Sequence, residues 1–286
     1  MEIRRTTPDD LDAVFDLLTA RSVAAFGSSE LERAHLAQAW ELEHTDRLVA
    51  TDGEVVGYAS LDAAHEVVVA AQDPEVNDAL LRAVEACARP RGFDSLVAIV
   101  VPEDAPFYAL VTRAGFAHAT DVLRMWRHLD GDLPVPAWPD DVDVRVYTDD
   151  DAPAVHVLLD DVYSAWDETY VPRPHDDWLQ WMTKHDEFDP ELWFLVERDG
   201  ELVACALHWK EHDGRGWVKD IVVHKSQRGR GLGKALLHHA FAEYARRGAE
   251  RVGLKVDAVN PTGAPQLYER VGFVTDRRYG TWVKRL

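Results

Sequence analysis

The chain contains two copies of one pattern, and this internal repeat is the feature that most limits how it can fold. The segment 3–14, IRRTTPDDLDAV, matches the segment 144–155, VRVYTDDDAPAV, at an offset of 141 residues. Each copy predicts a short strand, then an acidic helix start, then an amphipathic helix. The sequence therefore predicts two copies of one α/β unit.

Three further features repeat or divide the chain. The segments 48–59 and 194–205 each predict a hairpin, because an Asp-Gly turn lies between two apolar strands. The segments 109–116 and 265–273 each predict a helix that ends in Gly-Phe, where glycine suits the residue after a helix. Residues 130–143 hold three prolines and several aspartates and are typical of a linker. We therefore expect domains at 1–129 and 144–286, joined by the linker 130–143.

Composition limits the partners of the chain. Its net charge is −20, and residues 1–143 hold 27 acidic residues against 11 arginines and no lysine. Such a surface repels nucleic acid, so we expect no nucleic-acid partner. It suits either plain solubility or the attraction of a cationic substrate, and both readings stay open. No apolar run approaches about 18 residues, so we expect no membrane partner. Cys87 and Cys205 lie in apolar patterns, and we expect a reduced, cytoplasmic protein.

The segment 227–236, QRGRGLGKAL, combines glycines with basic residues before an apolar helix. Glycine lets backbone N–H groups approach a ligand closely, and a helix N-terminus attracts anions. The spacing fits neither a Walker loop, which needs Ser or Thr where Ala235 stands, nor a Rossmann fingerprint, whose third glycine would be Lys234. The segment therefore predicts a site for a phosphate-bearing ligand.

With these elements in order, the chain resembles the Gcn5-related N-acetyltransferase family. The loop Arg228-Gly229-Arg230-Gly231-Leu232-Gly233 follows that family's phosphate-loop pattern, and Asn260, Tyr268 and a final Gly-Phe follow it in order. The resemblance covers nearly all of 144–286 and, in weaker form, 1–128. It implies an α/β fold of two tandem units, each with a mixed, mostly antiparallel sheet flanked by helices. It also implies acetyl-CoA as the co-substrate.

The two copies are not equivalent. The segment 71–78, AQDPEVND, aligns with the phosphate loop but lacks glycine and carries Asp73, Glu75 and Asp78, which would repel phosphate. Val111 stands where the second copy has Tyr268. We therefore expect a degenerate first domain that shapes or supports the second, and a catalytic domain at 144–286.

The resemblance assigns roles to individual residues. Tyr268 would protonate the departing thiolate, with an ordinary core aromatic as the alternative. Asp220, on the strand before the loop, is the first candidate to accept the proton of the amine, and His208 and Glu211 are further candidates. A structural salt bridge of Asp220 with Lys219 or Lys255 is the alternative. Asn260 precedes Tyr268 by eight residues, where seven is usual in the family, so the entry to this helix is longer. The residues expected to bind acetyl-CoA are Val222, Val223, Arg228, Gly229, Arg230, Gly231, Leu232, Gly233, Lys234 and Asn260.

The segment 164–194 is expected to hold the acceptor. It is rich in tryptophan and carboxylates, which suit an ammonium group. The residues expected to bind substrate are Asp167, Glu168, Trp178 and Trp181, and ordinary core tryptophans are the alternative. The histidines of the segment show no metal-ligand spacing, so no metal site is expected.

The sequence thus predicts an N-acetyltransferase that moves an acetyl group from acetyl-CoA to a primary amine of a small, cationic acceptor, by direct attack in a ternary complex. A non-catalytic protein that binds or senses acyl-CoA is the alternative. The presence of Tyr268 favours the enzyme, because a binding protein does not need an acid. Both a monomer and a homodimer are open.

Overall fold

The computed structural model describes residues 1–29, 31–41, 44–165, 170, 172–184, 186–210 and 214–286. The α-helices are α1 (Leu11–Phe26), α2 (Arg33–Trp40), α3 (Pro74–Ala88), α4 (Ala105–Arg113), α5 (Ala152–Ser164), α6 (His175–Thr183), α7 (Leu232–Arg246) and α8 (Ala264–Arg270). The strands are β1 (Glu2–Arg5), β2 (Asp46–Thr51), β3 (Val55–Leu61), β4 (Val67–Ala71), β5 (Ser95–Val100), β6 (Ala117–His128), β7 (Asp143–Val146), β8 (Phe194–Arg198), β9 (Glu201–Lys210), β10 (Gly216–Val223), β11 (Arg251–Asp257) and β12 (Val274–Arg285). The elements form mixed α/β units, which confirms the predicted fold class.

The chain divides into two compact units. The first contains Met1–Val122 together with Arg278–Leu286, and the second contains Leu123–Arg277. Both division points fall inside long strands, β6 and β12, so the ends of these strands belong to the other half's unit. The segment 130–143, expected to be a linker, lies within the second unit. The compact units therefore differ from the ranges 1–129 and 144–286, because strand pairing, and not composition, sets where each terminal strand belongs.

In the first unit, β1 to β4 form an antiparallel sheet in chain order. Strand β5 pairs with the end of β12, from Val100 opposite Gly280 to Ser95 opposite Arg285. Helices α3 and α4 bury apolar side chains against these strands, with Leu80, Leu96 and Leu110 fully inside.

In the second unit, the sheet has the order β6-β11-β10-β9-β8-β7. The pairs from β7 to β10 are antiparallel, and β10 with β11 is parallel. The sheet carries a core on each face, since successive strand residues point to opposite sides. One core packs α7 against side chains such as Phe194 and Ala206, and the other packs α5 and α6 against Leu195, Cys205 and Leu207.

The repeat in the sequence extends to individual hydrogen bonds. Arg4 donates to both carboxylate oxygens of Asp10, at 2.7 and 2.8 Å. At the offset of 141 residues, Arg145 donates to both oxygens of Asp151, at 2.7 and 2.6 Å. In each copy the aspartate also accepts the N–H and the hydroxyl of a threonine three residues earlier. Both helix starts are thus capped and tied to their first strand in the same way.

Candidate active site

The strands β10 and β11 pair over only a short length. The described pairs are Gly216–Val252, Trp217–Gly253 and Val218–Leu254. Beyond them a cleft of about 570 Å³ opens between the strands, bounded by α5, the phosphate loop and the start of α8. Strand β10 thus separates from its parallel neighbour beyond Val218, and Val222 and Val223 line the cleft.

A bulge shapes the wall of this cleft. The register of β10 against β9 passes from Val218 opposite His208 directly to Asp220 opposite Leu207, so Lys219 is an extra residue. A bulge of this kind bends the strand and redirects its side chains. Lys219 and Asp220 consequently both line the cleft, although neighbouring strand residues normally face opposite ways.

The phosphate loop lies at one end of the cleft. Gly229 and Gly231 have φ of 79° and 86°, a conformation that favours glycine. Helix α7 begins directly after Gly231. The carbonyl of Gly231 accepts the first hydrogen bond of the helix, from the N–H of Ala235 at 2.9 Å. Among the described residues no protein acceptor is found for the N–H groups of residues 232–234. They are the unpaired donors of a helix N-terminus and suit phosphate oxygens.

The basic side chains of the loop divide into two groups. Arg228 and Lys234 line the cleft, and Nε of Arg228 donates to the carbonyl of Val223 at 3.2 Å. Arg230 instead forms an ion pair with Asp141 and donates to Oε1 of Gln227 at 2.7 Å. The side chain of Arg230 is thus engaged with the segment 130–143 and does not line the cleft. The sequence grouped all the loop cations together, because nothing local indicates a partner 89 residues away.

Asn260 lies at the entry to α8. Its Oδ1 accepts the N–H of Thr262 at 2.9 Å, and it also accepts the hydroxyl of that residue. Gly263, with φ of 75°, then begins the helix. Asn260 lines the cleft, and this turn connects it to the helix that carries Tyr268.

Tyr268 lies in the wall of the cleft and is 6% exposed. Its ring packs edge-on against Phe273, with 5.7 Å between centroids. Burial raises the pKa of Tyr268 well above its usual value, and the charge of Asp220 raises it further. The phenol is therefore protonated at neutral pH, as a proton donor must be.

Asp220 is held by a residue that the sequence did not single out. The hydroxyl of Tyr163, on α5, donates to Oδ1 of Asp220 at 2.6 Å, and Nζ of Lys219 lies 3.4 Å from Oδ2. Burial, then the charge of Asp220, raises the pKa of Tyr163. Tyr163 follows Val155 and Leu159 at a spacing of four on an apolar face, so the pattern indicated only core. The expected salt bridge with Lys219 is present beside the expected carboxylate in the cleft.

Other candidates lie elsewhere. His208 is fully buried on the α7 side of the sheet, and burial lowers its pKa to about 3, so it does not share the face of Asp220. Trp178 packs in the core beside Trp193, which is the alternative that the sequence left open, while Trp181 is 41% exposed. Asp167 and Glu168, expected to bind the acceptor, and Glu211, a further candidate for the proton acceptor, lie outside the described residues.

The start of helix α3, in the described part of the first unit, differs from the start of α7. Its helix α3 begins with Pro74, and the carboxylate of Asp73 already accepts the N–H of Glu75 at 2.8 Å. The guanidinium of Arg21 donates to the carbonyl of Val69 at 3.1 Å and forms an ion pair with Asp104. At the start of α3 a proline and a side-chain acceptor thus stand where α7 has glycine and open N–H groups.

Two features are absent from the described residues. No group of three or more His, Cys, Asp and Glu side chains is arranged as metal ligands would be in that part of the chain. Likewise, none of the described helices is both long and apolar enough to cross a lipid bilayer.

Comparison with known proteins agrees with this geometry. Residues 153–273 match the acetyltransferase (GNAT) family. A protein of Kineococcus radiotolerans named mycothiol acetyltransferase is 33% identical over an alignment of 298 positions, gaps included, that covers 96% of this chain and 94% of that protein. A GCN5-related N-acetyltransferase from Sphaerobacter thermophilus superposes with a TM-score of 0.82 at 26% identity, over 99% of this chain and 95% of that one.

The tandem arrangement also has a structural counterpart. A tandem GNAT protein from the clavulanic acid biosynthesis pathway superposes with a TM-score of 0.73 at 19% identity, over 99% of this chain and 98% of that one. At this identity the likeness concerns the fold alone. Together with the relative from Kineococcus radiotolerans, these matches establish that the chain belongs to the GNAT family of acetyltransferases, enzymes that use acetyl-CoA.

Proposed function

We propose that the chain transfers the acetyl group of acetyl-CoA to the primary amine of a small acceptor by direct attack in a ternary complex. The acceptor is cationic on arrival, because a free primary amine is an ammonium ion at neutral pH. The observation that carries the proposal is that one cleft of the second unit is lined by a phosphate-loop helix start, by Asp220 and by Tyr268.

Acetyl-CoA fits the donor side of this cleft. The open amides of residues 232–234 and the cations Arg228 and Lys234 suit its phosphates. The backbone near Val222 and Val223, released from β11, offers peptide groups to the amides of the pantetheine arm. Asn260, whose oxygen is held in the turn, keeps its amide NH₂ for the same arm.

Two groups move the protons of the reaction. The acceptor ammonium must lose a proton before its nitrogen attacks the thioester carbonyl, and the carboxylate of Asp220 is the group placed to take it. Attack of the amine forms the C–N bond and a tetrahedral intermediate, whose C–S bond then breaks. The phenol of Tyr268 protonates the departing sulfur, and the second proton lost by the nitrogen restores the phenol. The buried, protonated state of Tyr268 supports this role.

The second unit is the catalytic one in this proposal, and the first is a degenerate copy without acyl-CoA. The capped start of α3 and the Arg21–Asp104 ion pair support this division. The strongly acidic surface would favour the approach of the ammonium acceptor. In this proposal residues 1–129 have a supporting role and do not bind acyl-CoA.

A screen of amines tests the proposal. The purified chain is incubated with acetyl-CoA and one amine at a time, and coenzyme A release is followed with a thiol reagent. The names of the relatives make the acceptor of a mycothiol acetyltransferase one candidate for the panel. Release that depends on an amine, with the N-acetyl product found by mass spectrometry, supports the proposal. Tight acetyl-CoA binding with no release for any amine would favour the alternative, a protein that only senses acyl-CoA.

A further inference from the structure

The acceptor side of the cleft contains a cation that belongs to the chain. Nζ of Lys219 lies 4.7 Å from the ring centroid of Trp181 and 5.5 Å from that of Trp209. The two rings stand edge to face with 5.8 Å between centroids. Two indole faces around one ammonium are the arrangement expected for recognition of a cationic ligand. Here Lys219 itself occupies the cage formed by Trp181 and Trp209.

A second cation strengthens this charge. The guanidinium of Arg173 lies 5.1 Å from the ring centroid of Trp181, so this one indole contacts two positive side chains. Any additional positive group of an acceptor at Trp181 would meet two like charges, which repel it. An anionic group would instead be attracted. The Lys219 side chain is 22% exposed, so a ligand can still reach it.

The position of Lys219 relates this charge to the reaction. The bulge places Lys219 in the same cleft as Asp220, with 3.4 Å between Nζ and Oδ2. An amine within hydrogen-bonding distance of Asp220 therefore lies close in space to the Lys219 ammonium. A small molecule with an amine and an anionic oxygen group separated by a few bonds would contact both side chains.

We propose that Lys219, with Arg173 adding positive charge at Trp181, binds an anionic oxygen group of the acceptor, so that the preferred acceptors are amines that also carry a carboxylate or a phosphate. This inference rests on the proposed function and names its substrate class. It makes Lys219 a specificity-determining residue. The cation–π contacts with Trp181 and Trp209 hold the ammonium of Lys219 in place, so its position does not depend on a bound ligand.

Matched pairs of acceptors test the inference. Each pair differs only in the anionic group: an amino acid and its carboxamide, and an amino-sugar phosphate and the unphosphorylated amino sugar. Binding is measured by calorimetry in the presence of coenzyme A, and turnover is measured separately as coenzyme A release from acetyl-CoA. At least one anionic member should bind about tenfold or more tightly than its neutral partner, the strength typical of a hydrogen bond to a charged group.

Substitutions then locate the preference. Lys219→Met should remove it by weakening the anionic member alone, Lys219→Arg should keep it, and Lys184→Met, at an exposed lysine just after α6, should leave it unchanged. The inference is wrong if no anionic member binds better than its partner, or if Lys219→Met weakens both members equally, as a lysine that only positions Asp220 would. The proposed function fails in a different way, when amines bind but no acetyl group is transferred.

Discussion

The hydroxyl of Tyr163 donates a 2.6 Å hydrogen bond to Oδ1 of Asp220, which joins α5 to the bulged strand β10. Asp220 is 11% exposed, so this bond and the nearby Lys219 define the orientation of its carboxylate. A hydrogen bond to a charged, partly buried group is among the stronger ones in proteins. The relationship gives the proposed proton acceptor a fixed direction in the cleft.

Replacing Asp220 by Asn should separate proton transfer from binding. The amide keeps an oxygen for Tyr163 but cannot accept the proton of the acceptor. Turnover with an amine should fall about a hundredfold or more, the usual contribution of general base catalysis. Acetyl-CoA affinity, measured by calorimetry, should change little. Turnover within a few-fold of the wild type would mean that water takes the proton and that Asp220 is structural.

Tyr163→Phe removes one hydroxyl from the same site and keeps the ring. We expect turnover to fall about tenfold, because the oriented carboxylate loses a hydrogen bond to a charged group. Tyr170→Phe is the matched control, since the hydroxyl of Tyr170 makes an equal 2.6 Å bond to Asp160. Equal losses in the two variants would show a general effect of removing a tyrosine–aspartate bond, without a specific role at Asp220.

Gly231→Glu should abolish acetyl-CoA binding. The backbone at this position has φ of 86°, which is strained for any residue other than glycine. The carboxylate of the new side chain would also repel phosphate at the start of α7. Gly248→Glu is the control, because Gly248 has φ of 83° and is exposed at the other end of the same helix. Glu75→Ala, in the first unit, should leave binding unchanged. Calorimetry on the wild type should give one site per chain, and two equivalent sites would contradict the division between the units.

Asp151→Asn should weaken the fold in a pH-dependent way. Hydrogen bonds from Arg145 lower the pKa of Asp151 from 3.8 to about 2. A carboxylate with a lowered folded-state pKa stabilises the fold above pH 3.8 and loses this effect as the pH falls toward 2.

At pH 7 the substitution should reduce the free energy of unfolding by about 1 kcal/mol, less than the shift alone implies, because Arg145 is 38% exposed. The difference between the urea unfolding midpoints of the wild type and Asp151→Asn should narrow as the pH falls from about 4.5 to about 3. A difference that is constant over this range would assign the effect to the cap geometry and not to the charge.

Local patterns allowed much of the fold and the donor side of the site to be predicted. The repeat is visible because Thr7 and Asp10 recur as Thr148 and Asp151 at one offset. Their hydrogen bonds join residues only three positions apart. The phosphate loop could be predicted because Gly229 and Gly231 both adopt positive φ, a conformation that favours glycine, within one short segment. In both cases the physical cause lies within one segment.

Long-range pairing explains the rest. No local signal shows that Arg230 pairs with Asp141, that Tyr163 faces Asp220, or that Lys219 is the residue a bulge inserts. Alternation along a strand cannot reveal a bulge, because it assumes a period of two. The ends of β6 and β12 join the other half's unit for the same reason, since the choice between two similar sheets is made by tertiary pairing.

The most direct measurement compares wild type and Tyr268→Phe at saturating acetyl-CoA with one amine acceptor. The substitution keeps the packed ring and removes only the hydroxyl that would protonate the leaving sulfur. Turnover should fall about a hundredfold while acetyl-CoA affinity stays nearly constant. An acyl donor with a more acidic thiol should restore part of the rate, since its sulfur needs less protonation. Turnover within a few-fold of the wild type, or equal defects with good and poor leaving groups, would contradict the assignment of Tyr268 as the acid.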